Sequence, residues 1–191
     1  MVALQKIGVK IFSDSRALKS TTDFIPLFHR WIQRNAIPDH LLIDVVDYSH
    51  VYQGPGVLLM AHEGIFALDQ SDGMPGLLYM RKQPLPGDLA DRLEAVLNIA
   101  VQAAKLLEAE ADPKHSVVFD YRRLRVIAND RLVAPADDHS FRTLQQALVS
   151  LEKRWGQEGE SSIRNVSAPK GRLEIDWILS AAPGEKKVVV Q

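Results

Sequence analysis

Residues 89–107 place Leu89, Leu93, Val96, Leu97, Ala100, Ala104 and Leu107 at helical spacing, behind the opener Pro86-Gly87-Asp88. Apolar side chains recurring every three to four positions make one stripe of a helix, and such a stripe is stable only against another layer. Pro113 forbids continuation, so the helix is predicted over about 88–110. The segments on either side of it decide what that layer is.

Upstream, Ile7, Val9 and Ile11 alternate with Lys6, Gly8, Lys10 and Phe12, the period of a half-buried strand over 5–12. Asp23 and Pro26 open a helix over about 24–35, with Phe24, Leu27, Phe28, Trp31 and Ile32 on its apolar face. Apolar runs punctuated by Gly and Pro then predict an antiparallel meander over about 41–82. Its strands are 41–50, 57–68 and 76–82, with Gly64 marking a bulge. Downstream come strands at 116–121, 123–128 and 131–134. A helix over about 138–155 follows, opened by Asp137 or Asp138 and closed by Gly156, and then a hairpin from SSIRNVSA and RLEIDWILS.

The fold class is therefore α+β, three main helices on a largely antiparallel sheet made of the meander and the C-terminal hairpin. Residues 1–191 read as one domain. A strand, helix, strand, strand order recurs in 1–112 and 113–191, which offers two similar halves as the other division.

Composition removes several functions. With no cysteine there is no disulfide, thiolate metal site or thiol chemistry. The 23 Lys and Arg against 24 Asp and Glu leave a formal charge of -1, so no nucleic-acid partner is expected. No apolar run approaches the roughly 18 residues of a membrane span, and the start MVALQKIGVKIF lacks a leader pattern, so a cytoplasmic chain with no membrane partner is expected. Gly54-Pro55-Gly56 is not a dinucleotide fingerprint, there is no GxxxxGK or GxSxG, and His62-Glu63 lacks the downstream histidine of a zincin. The residues assign no metal and no cofactor.

One enrichment remains. His29, His40, His50 and His62 fall close together in sequence, beside Asp44, Asp47, Tyr48 and Glu63. A hairpin closed by Tyr52-Gln53-Gly54-Pro55-Gly56 that sets His62 opposite Asp47 brings their Cβ atoms to about 4.5–5.5 Å. That pair is a candidate dyad, the carboxylate fixing the imidazole tautomer; the simpler role for it is to satisfy its own hydrogen bonds inside the sheet. In the same register Asp44, Tyr48, His50 and Glu63 share the other face. Tyr48, Gln53 and the Gly-Pro-Gly stretch form either a pocket rim or a rigid turn. Arg123 and Arg125 alternate onto one strand face, a candidate anion site whose simpler reading is a solvated surface.

Two functions compete. An interaction module, acting as a homo-oligomer and most simply a dimer, is favoured because no complete catalytic constellation assembles and because the tail Val188-Val189-Val190 suits strand addition. The alternative is a small-molecule binding protein or enzyme using the Asp/His/Glu cluster of the 41–65 hairpin.

Overall fold

The long helical stripe packs where its period requires, on a single antiparallel sheet. A computed structural model describes residues 4–156 and 161–183. Its strands are β1 (Ile7–Phe12), β2 (Leu42–Tyr48), β3 (Gly56–Ala61), β4 (Gly64–Asp69), β5 (Gly76–Arg81), β6 (Arg123–Ala128), β7 (Ser162–Asn165) and β8 (Leu173–Ile178), in the order β2-β3-β4-β5-β1-β6-β8-β7. Helices α1 (Ile25–Arg34), α2 (Leu89–Glu110) and α3 (Asp138–Trp155) fall within about one residue of the predicted spans. The protein is thus α+β, the described residues forming three α-helices against an eight-stranded antiparallel sheet. Outward from the central β1/β6 pair, the order β5-β4 on one side repeats as β8-β7 on the other.

Local chemistry sets the helix ends. Asp88 accepts the Asp91 N–H at 2.8 Å while Asp91 accepts the Asp88 N–H at 2.9 Å, a reciprocal box that satisfies two orphan donors of α2. Asp137 caps α3 singly, accepting the Ser140 N–H at 2.8 Å, and Gly156 closes that helix in the left-handed region. Asn35 ends α1 in the same conformation. Asp23, expected to open α1, lies instead in a 3-10 turn, Thr21–Phe24, that feeds it; Pro26 occupies the first turn.

The cross-strand registers sort the sheet into two faces. Val9, Leu59, Phe66, Tyr79, Val126, Ile175 and Trp177 share the face that meets Leu93, Val96, Ala100 and Leu107 of α2, with Phe28 and Trp31 of α1 and Leu144 and Leu148 of α3. Each buried Leu or Phe there contributes about 1.5–3 kcal/mol relative to exposure. The other face carries Leu58, Ala67, Leu78, Met80 and Ile127, a second and smaller apolar cluster, and no described helix packs on it.

Several expectations need correction. The run 57–68 is two strands: His62 and Glu63 form a two-residue turn between β3 and β4, and Gly64 starts β4 rather than marking a bulge. The irregularity lies in β2 between Leu42 and Asp44. Residues 116–121 are not a strand, and 131–134 are a turn leading to a single bridge between Pro135 and Arg172. Strand β1 is buried on both sides, not one. The Val188–Val190 tail lies outside the described residues.

Candidate functional site

The register of the β2–β3 hairpin decides the predicted dyad. Tyr48 pairs with Gly56 and Asp47 with Val57, so His62 lies beyond the end of β3 and never faces Asp47. The cause is the loop. Residues 49–55 close through two successive bends, Val51 N–H to Tyr48 C=O and Gly54 N–H to Val51 C=O, and take up residues that the expected register assigned to strand. Asp47 instead accepts the Ser49 N–H at 2.8 Å, and the Ser49 hydrogen bonds hold its carboxyl below the usual carboxylate range.

The remaining residues of the enrichment disperse. Asp44 is exposed and accepts the N–H of its neighbour Val45 at 2.8 Å. An edge strand whose N–H is already taken by a carboxylate is a poor template for another strand. His50 stacks on Tyr48 with ring centroids 6.4 Å apart. Glu63 accepts the Leu41 N–H at 2.8 Å; burial raises its carboxyl, but that hydrogen bond and His40 and His62 nearby bring it below the ordinary value. His62 is exposed on the turn.

His40 is the one histidine of the group with a buried partner. Its Nε2 lies 2.7 Å from the Tyr79 hydroxyl and its Nδ1 2.9 Å from the Pro38 carbonyl. A carbonyl only accepts, so Nδ1 carries the proton, and in the neutral ring Nε2 accepts from Tyr79 while Arg81 donates to the same hydroxyl at 3.3 Å. This chain ties the β2 entrance to β5.

Arg123 and Arg125 do share a face, as expected from alternation, but neither guanidinium is free. Arg125 donates to Asp176 at 2.6 Å and also to Asp72, with Glu174 at 3.6 Å, and Arg123 lies 3.3 Å from Asp14. The same network holds Lys10, 1% exposed, against Asp69 at 2.6 Å and Asp72 at 2.8 Å. The ring of Phe12 sits among the three cations, 5.3 Å from Lys10 Nζ and from the Arg125 guanidinium carbon and 5.6 Å from that of Arg123. An anion would have to displace carboxylates already in place.

A cleft of about 550 Å³ opens at the end of the sheet, between the β2–β3 loop, the segment Lys19–Thr22 and the turn after β4. Tyr48, Gln53, Gly54 and Gly56 line it, together with Tyr52, Gln70 and hydroxyls of the Ser20-Thr21-Thr22 run. Gly56 makes the junction: its φ is +70°, and a Cβ there would sit 2.3 Å from the Leu68 carbonyl oxygen and 3.4 Å from the Thr21 methyl. Sequence reasoning placed Tyr48 and the Gly-Pro-Gly stretch here but missed Lys19–Thr22 and Gln70, which join them only through the tertiary fold.

Among the described residues no three His, Asp or Glu side chains are grouped to hold a metal ion, and no helix is long and apolar enough to cross a membrane. Compared with known families and curated proteins, the chain matches no family model and no curated sequence.

Proposed function

We propose that this chain is a single-domain interaction module that works as a homodimer in the cytoplasm, two copies meeting through the helix-free sheet face. The observation that carries this reading is the second apolar cluster of Leu58, Ala67, Leu78, Met80 and Ile127. By register, Val46, Met60 and Ile65 extend the same surface. Ala67, Leu78, Met80 and Ile127 are buried within one copy, while Val46, Leu58, Met60 and Ile65 around them are only half-buried and are what a second copy would cover, the described helices all lying on the other side. The surface is also self-complementary in charge. Asp44 at the β2 edge and Arg164 at the β7 edge, both exposed, lie on this face and approach each other when two copies stack about a two-fold axis parallel to the strands.

Sedimentation velocity tests the reading. The wild-type chain is expected to run as a dimer at micromolar concentration and Leu58→Glu as a folded monomer, its fold checked by circular dichroism. A wild-type chain that stays monomeric overturns it. A small-molecule role is the second reading; the cleft beside Tyr48 supports it.

A further inference from the structure

We propose that the cleft at the β2–β3 end of the sheet binds a small phosphate monoester, with Lys19 and the hydroxyls behind it taking the phosphate and the tyrosines of the loop taking the organic group. This goes beyond the dimer reading and does not depend on it, since the cleft lies at the strand ends.

The first support is the sign and type of the lining groups. Lys19 supplies a cation, Ser20, Thr21 and Thr22 supply hydroxyls, and no carboxylate lines the cleft. The acidic residues next to the lining pair Gln70 and Gly73 are Asp69 and Asp72, and both turn their carboxylates to Lys10, Asp72 also to Arg125, on the open face. Lys19 makes no ion pair among the described residues. A concave site with one uncompensated ammonium and several rotatable hydroxyls suits a ligand rich in anionic acceptors.

The second support is Thr21. The residue is only 3% exposed and lines the cleft, while its hydroxyl makes no hydrogen bond among the described residues and keeps contact with solvent. A hydroxyl with only water for a partner is free to turn to an anionic oxygen that enters the cleft. Gly56 fixes its position, because only a residue without Cβ lets the Thr21 methyl and the Leu68 carbonyl approach that strand end.

The third support is the opposite wall. Tyr52 is 90% exposed and sits with Val51 and Tyr48 on the loop, an amphipathic aromatic surface for a planar or apolar group. A tetrahedral phosphate has enough oxygens to meet an ammonium and several hydroxyls together, whereas a carboxylate has two.

The probes are phenyl phosphate, benzoate and inorganic phosphate, titrated into the full chain and followed by amide chemical shifts. Phenyl phosphate is expected to shift the signals of Lys19–Thr22 and Gln53–Gly54 with a dissociation constant of roughly 1 mM or below. It should bind more tightly than inorganic phosphate and benzoate. Lys19→Gln and Thr21→Val are each expected to weaken it by about tenfold, the effect of losing a charge-assisted hydrogen bond, while the thermal transition of Lys19→Gln stays that of wild type. No shift with phenyl phosphate, shifts elsewhere on the chain, benzoate binding at least as tightly, or equal binding by wild type and Lys19→Gln would each overturn the proposal.

Discussion

Lys10 on β1 reaches past Gly76 of β5 to place its Nζ 2.6 Å from Asp69 on β4. A Cβ at position 76 would lie 3.2 Å from Lys10 Cε, so the missing side chain leaves room for the lysine stem. Both charges are nearly removed from solvent, at 1% and 7% exposure. Removing one member of a buried pair leaves the other uncompensated, which costs about 3–5 kcal/mol. Lys10→Met is therefore expected to lower the stability measured by urea unfolding by that amount, and Arg154→Ala, at the exposed Asp91 pair, by far less.

Acid should loosen the same network through Asp72. Burial pushes its carboxyl up, but the Lys10 hydrogen bond and charge, the Met74 N–H and Arg125 outweigh that and leave it below the ordinary value. A carboxylate whose folded pKa is depressed contributes stability that is complete above its unfolded pKa, near ~4, and is lost as pH falls through the folded one. Thermal melts should show wild type falling below about pH 4 and Asp72→Asn, less stable at neutral pH, falling with a shallower slope.

Gly56 should be intolerant of any side chain. Its left-handed φ and the 2.3 Å approach of the Leu68 carbonyl oxygen leave no space for Cβ. Gly56→Ala is expected to cost more than the roughly 1 kcal/mol of a left-handed alanine alone, read by chemical denaturation. Gly73→Ala, where φ is +72° but nothing lies within 4 Å, should cost only the backbone strain.

The helices were legible because their apolar residues keep one period over many turns and because Asp88, Asp137, Gly156 and Pro113 mark their ends. The β2–β3 register was not, since it depends on how the loop 49–55 folds and the strands alone do not specify that. His62-Glu63 hid a turn inside a continuous apolar run, as neither residue is a usual turn former. Lys10 read as the polar position of a half-buried strand; its burial depends on Asp69 and Asp72, far away in sequence, and on the space left by Gly76. The cleft was half visible, through Tyr48, Gln53 and the glycines, because only one of its walls is a local segment.

Methionine methyl signals test the dimer face most directly. By register, Met60 and Met80 stand on the helix-free face, whereas Met74 lies in the loop before β5. In a dilution series of the full chain from millimolar to low micromolar concentration, the Met60 and Met80 methyl resonances are expected to move together, with Met74 unchanged. In Leu58→Glu they should be independent of concentration. Met60 and Met80 signals that stay fixed across a dilution over which sedimentation shows dimer giving way to monomer, or a chain that is monomeric throughout, would contradict the account.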